Sequence, residues 1–109
     1  MAYDSQLAER IRPLMLVLGC QEKKMFGGLG FLLNGNMCVG VWKNSLIARV
    51  GPDEYDAALS LPGAKEFDIT GRAMRGWVLV ENHGLPADDD LQQWVQRAID
   101  FVLSLPAKG

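Results

Sequence analysis

Asn34-Gly35 constrains this chain more than any other pair of residues. Both central residues of a type I′ turn need positive φ, and Asn-Gly meets that need at the least cost. The chain must therefore reverse here into an antiparallel hairpin. Lys43-Asn44 stands where a second tight turn falls. The two turns divide the stretch Lys23 to Gly51 into three strands, Gly30–Leu33, Met37–Trp42 and Ser45–Val50, and Glu22–Phe26 reads as a strand leading into them.

Two-residue turns set a register. Leu33 faces Asn36, Leu32 faces Met37, Val41 faces Leu46, Val39 faces Ala48 and Met37 faces Val50. Side chains alternate across a strand, so one face carries Leu32, Met37, Val39, Val41, Leu46, Ala48 and Val50 and must be covered. The other face carries Phe31, Leu33, Cys38, Gly40, Trp42, Ile47 and Arg49. A water-facing side should be mostly polar, and extended apolar surface on a small chain marks an interaction site. Phe31, Leu33, Trp42 and Ile47 are thus expected to meet a second copy of the chain or a protein partner, ahead of burial within the chain.

The flanking segments read as helices and shorter strands. Asp4 or Ser5 caps a first helix with Leu7, Ile11, Leu14, Met15 and Leu18 at helical spacing. Pro13 should kink it or restart it, and Gly19 should end it. Gly51-Pro52-Asp53 opens a short helix with Tyr55, Ala58 and Leu59 on its apolar side. Phe67–Ile69 and Trp77–Val80 alternate as strands, with the loop Gly71-Arg72-Ala73-Met74-Arg75-Gly76 between them. Asp88-Asp89-Asp90 caps a last helix whose stripe is Leu91, Trp94, Val95, Ala98, Val102 and Leu105. This order gives one α+β domain, residues 1–109: an antiparallel meander packed with amino- and carboxyl-terminal helices.

The chemistry is sparse. Cys20 and Cys38 form neither a metal motif nor a disulfide framework, and read as free thiols of a cytoplasmic protein. His83 is the only histidine and has no neighbouring ligand set. Nothing points to a catalytic residue, a metal or a cofactor. Cations do gather in glycine-rich segments: Lys23 and Lys24 before Phe26-Gly27-Gly28, Arg49 before Gly51, and Arg72 and Arg75 after Gly71. Arginine offers a planar fork suited to carboxylate or phosphate, so these residues are the candidates for partner binding or, converging on one concave site, for an anion- or nucleotide-binding protein or an uncharacterised enzyme. The glycines lack the spacing of a phosphate loop, and a bulge or tight bend explains them without a ligand. A net charge of −2 disfavours direct nucleic-acid binding. No apolar run approaches the roughly 20 residues that cross a membrane.

With these pieces placed, the sequence resembles the TfoX amino-terminal domain family, related to bacterial regulators of competence. The resemblance is carried by Lys23 to Gly28, Phe31 to Met37, Arg49 to Pro52, Thr70 to Gly76 and Ser104-Leu105-Pro106, in the family's order, while Pro13 and Ala73 depart from its pattern. It implies a secretion-chaperone-like fold of order α-β(3–4)-α-β(2)-α, frequent dimerisation and no established catalytic residues. The competence regulators act with the cyclic-AMP receptor protein and carry a second domain. These 109 residues hold no counterpart of it, so a stand-alone interaction module is the expectation.

Overall fold

The structure, a computed structural model, describes residues 3–25, 27–68 and 71–106. The element order is α1 (Ser5–Leu16), β1 (Gln21–Met25), β2 (Gly28–Leu33), β3 (Asn36–Trp42), β4 (Ser45–Arg49), α2 (Tyr55–Leu59), β5 (Ala64–Glu66), β6 (Trp77–Val80) and α3 (Asp88–Val102), with a 3-10 turn at Asn82–Gly84. The strands form one antiparallel sheet in the order β1-β2-β3-β4-β6-β5. This is the expected α+β class.

Both hairpins form where the sequence puts them. Asn34 (φ 54°), Gly35 (φ 80°) and Lys43 (φ 54°) all take left-handed backbone. The β3–β4 register is the expected one, with Val39 opposite Ala48 and Val41 opposite Leu46. The β2–β3 register holds only beside the turn, where Leu33 faces Asn36 and Leu32 faces Met37. Beyond that Phe31 faces Val39, so Cys38 is an extra residue on β3. A bulge of this kind reverses the alternation on the strand that carries it.

The bulge corrects the assignment of faces. Phe31, Leu33 and Cys38 turn to the helix side and join Val39, Val41, Leu46, Ala48, Val78 and Val80 in the main core. There they meet Leu7, Ile11 and Met15 of α1 and Leu91, Trp94, Val95, Ala98 and Val102 of α3. Met37 moves the other way, to a smaller cluster with Ile47, Leu79 and Phe67 on the opposite face. That face is closed by the chain itself. Phe67 leaves the ladder after β5 and stacks on Trp77 at 5.6 Å between ring centroids, and Met74 packs beside them. The edge strand paired with β6 is therefore built from Ala64–Glu66, not from Phe67 onward. Ile69 lies outside the described residues.

Two local expectations are revised. α1 runs through Pro13 to Leu16 without restarting. Only three helical residues follow Pro13, and the carbonyl it cannot pair belongs to Glu9, an exposed residue on the solvent side of the helix. α1 stops before Leu18, which is 42% exposed, not part of the buried stripe. The acidic start of α3 does act as a cap: Asp90 accepts a hydrogen bond from the Ala87 N–H at 3.1 Å.

Gly28 accounts for part of the glycine-rich segment. A Cβ there would sit 2.0 Å from the Val41 carbonyl oxygen of the neighbouring strand. The substitution Gly28→Ala is expected to lower stability by about 1–3 kcal/mol, as overpacking does. A urea midpoint unchanged from wild type would show that β2 and β3 are not held this close.

Candidate docking groove

The basic residues singled out in the sequence are distributed over the fold. Lys23 and Lys24 are both exposed on the edge strand β1, one opposite Gly30 and the other opposite Leu29, so they point to opposite faces. Arg49 stands on β4, with two strands between it and β1. Its guanidinium carbon lies 5.0 Å from the Trp77 ring centroid and 5.6 Å from that of Phe101, and one N–H reaches the Met37 carbonyl at 3.4 Å. Burial lowers its pKa. Arg75 pairs with Asp56 at 3.5 Å and lies over Tyr55. Gly71 and Arg72 are exposed at the loop's tip, and Gly27 is exposed with φ 75°. Phe26 lies outside the described residues. No single concave surface gathers the described members of this set.

The loop from Gly71 to Gly76 thus has a packing role. Its Met74 closes the second face, the Met74 N–H donates to the Phe67 carbonyl, and the Gly76 carbonyl accepts from the N–H groups of Val50 and Gly51. The hydrophobics once assigned to an interface are largely covered. Phe31, Leu33 and Ile47 are buried within the chain, and only Trp42 keeps partial exposure, with Lys43 over its ring.

The apolar surface that does reach solvent is elsewhere. Among the described residues the large hydrophobics exposed are Leu16, Val17, Leu18 and Leu103, with Val17 at 81%. All four lie at the carboxyl ends of α1 and α3. Between those ends runs a groove of about 460 Å³. Pro13, Leu14, Val17 and Leu18 form one wall, and Gln92, Val95, Gln96, Ile99 and Leu103 the other. No ionisable side chain lines it.

Sequence features position each wall. Leu14 to Leu18 is an unbroken apolar run. A helix buries one stripe, so Ile11 and Met15 go inward, Leu14 is half-buried against the core, and Leu16, Val17 and Leu18 stay outside. That run was a readable signal: five consecutive apolar residues cannot all enter the core. α1 is held against the sheet and against α3 by its arginines. Arg12 forms a two-pronged ion pair with Glu22 of β1 at 2.7 and 3.0 Å and a further one with Glu9. The bond to Glu22 is the largest cause of Arg12's raised pKa, and it lowers that of Glu22. Arg10 donates to the carbonyls of Leu85 and Ala87 and to Asp88.

The Cys38 thiol is pushed up to about 12, chiefly by burial, and Cys20 is raised for the same reason. His83 is exposed in the 3-10 turn. Among the described residues no group of three or more His, Cys, Asp or Glu side chains is placed to hold a metal ion. Among them, too, no helix is long and apolar enough to cross a membrane.

No curated protein and no solved structure matches the chain. A family model, described as the TfoX N-terminal domain, matches residues 14–102. That span runs from the first residues of the groove through all six strands to the last turn of α3, and the chain belongs to the TfoX N-terminal domain family.

Proposed function

We propose that this protein is a small, non-enzymatic interaction module of regulatory type, acting by docking a protein partner in the groove between α1 and α3. One observation carries the reading: of the large hydrophobics exposed among the described residues, Val17, Leu18 and Leu103 line a single uncharged cleft and Leu16 adjoins Val17 in sequence. Scattered exposed hydrophobics need no explanation, whereas a gathered patch marks an interaction surface. The state of the side chains supports a non-catalytic role. Both thiols are shifted away from the reactive thiolate, and the arginines of α1 are engaged in holding the helices. The reading places the module in the cytoplasm, where free Cys20 and Cys38 remain reduced.

A photo-crosslinking residue at Val17, compared with one at Asn82 in the distant 3-10 turn, tests this in native lysate treated with nuclease. A discrete protein adduct at Val17, absent at Asn82 and lost in Leu103→Glu, is the expected result. All three substituted positions, Val17, Asn82 and Leu103, are exposed, so stability should change by no more than about 0.5 kcal/mol. Equal, diffuse labelling at both positions would refute the groove as a docking site.

A further inference from the structure

The groove's rim differs from its floor. The floor is uncharged, but Asp89 and Asp100 lie along the outer edge of α3. Asp89 stands three residues before Gln92, and Asp100 stands four after Gln96, from whose Nε2 it accepts a hydrogen bond at 2.8 Å. Residues three and four apart are neighbours on a helix surface, so both acids flank the groove-lining glutamines. Both are exposed, and among the described residues neither is in an ion pair. The nearby cations are occupied: Arg10 and Arg12 as described above, and Arg97, three residues from Asp100, lies over the Trp94 ring at 5.1 Å. The result is an apolar cleft with an acidic edge whose carboxylates form no ion pair among the described residues.

We infer that the groove takes a basic amphipathic helix of a partner protein, with apolar anchors in the cleft and Lys or Arg beside Asp89 and Asp100. This rests on the docking reading above and adds the chemistry of the occupant. Grooves between helices accept helices through anchors at i, i+3 or i+4, and i+7. The two acids are eleven residues apart on α3, a run of about 16 Å at the helical rise, so the complementary cations lie about three turns apart on the incoming helix. A second copy fits poorly. A two-fold axis through the cleft sets the rim of one copy against the opposite wall of the other, and that wall, Pro13, Leu14, Val17 and Leu18, offers the acids no cation. An anionic lipid surface is repelled by the same edge.

Three labelled helical peptides test the assignment by fluorescence anisotropy on the full chain. They share one length: leucine anchors with lysine flanks, leucine anchors with glutamate flanks, and serine in place of leucine with lysine flanks. The lysine-flanked leucine peptide is expected to bind at least about tenfold tighter than the glutamate-flanked one, since charge complementarity sets specificity. The order should invert in Asp89→Lys/Asp100→Lys, and binding should be lost in Val17→Glu and with the serine peptide. Equal affinity for both leucine peptides, or preference for glutamate, would overturn the inference while the Val17 adduct stands. No binding by any peptide overturns it too, and absence of the Val17 adduct as well would remove the docking reading with it. A concentration-dependent dimer in sedimentation, abolished by Val17→Glu, would assign the groove to a second copy and also overturn it.

Discussion

Phe31→Ala lowers the unfolding free energy by about 3–5 kcal/mol, the range for removing a fully buried phenylalanine. The ring is 0% exposed on the helix side of β2. It reaches that side because the extra residue Cys38 lets Phe31 face Val39. The register without a bulge places Phe31 on the opposite face, where its loss would weaken self-association and leave the folded chain almost unchanged. Urea unfolding followed by circular dichroism separates the two. A loss below about 1 kcal/mol would mean that β2 and β3 pair without the bulge. Trp42→Ala is the control. Trp42 keeps partial exposure and borders the smaller cluster, so the cost there should fall well below that of Phe31.

Local sequence chemistry shows most of the framework, and the reasons for its gaps are specific. Turn residues are legible because positive φ has few suppliers: Asn34-Gly35 marks the first hairpin outright, whereas in Lys43-Asn44 it is Lys43 that takes positive φ. The α3 stripe is legible because it is long and periodic, and Leu91, Trp94, Val95, Ala98 and Val102 are all buried. The bulge is not legible, because Met37, Cys38 and Val39 are all apolar. An alternating pattern is satisfied by either register when consecutive residues suit either face. The cover over the second face is equally hidden. Phe67 and Met74 are isolated hydrophobics beside a polar, glycine-rich loop, and only folding brings them over Ile47 and Leu79. The same non-local geometry disperses the cations. Spacing along the chain does not say that Lys23 and Lys24 point apart, or that Arg49 lies between Trp77 and Phe101. The groove had a local signal in the apolar run from Leu14 to Leu18, but its other wall is some eighty residues away in sequence.

Cys38 should react with iodoacetamide at least about a thousandfold more slowly than an unhindered thiol at pH 8, and well after Cys20. Cys38 is 0% exposed, and its thiol is pushed up from an ordinary value of 9.0 to about 12, chiefly by burial. Three units at tenfold each remove about a thousandfold of thiolate, which is the species that reacts. Cys20 is also raised by burial but remains partly exposed. The sign of the pH effect follows from the raised value. The folded state disfavours the thiolate, so its contribution to stability is complete below about pH 9 and is lost as pH rises towards 12. Alkylation of Cys38 then proceeds through unfolding, and its rate follows the population of the open chain. Phe31→Ala links the two measurements, because the ring and the thiol share one core. A destabilisation of about 3 kcal/mol should speed Cys38 labelling roughly a hundredfold and leave Cys20, which reacts from the folded state, nearly unchanged. Equal acceleration of both thiols would show that Cys20 is sealed by the same cooperative unit. Rapid labelling of Cys38 in the wild type would show that β3 opens at the bulge without unfolding the rest.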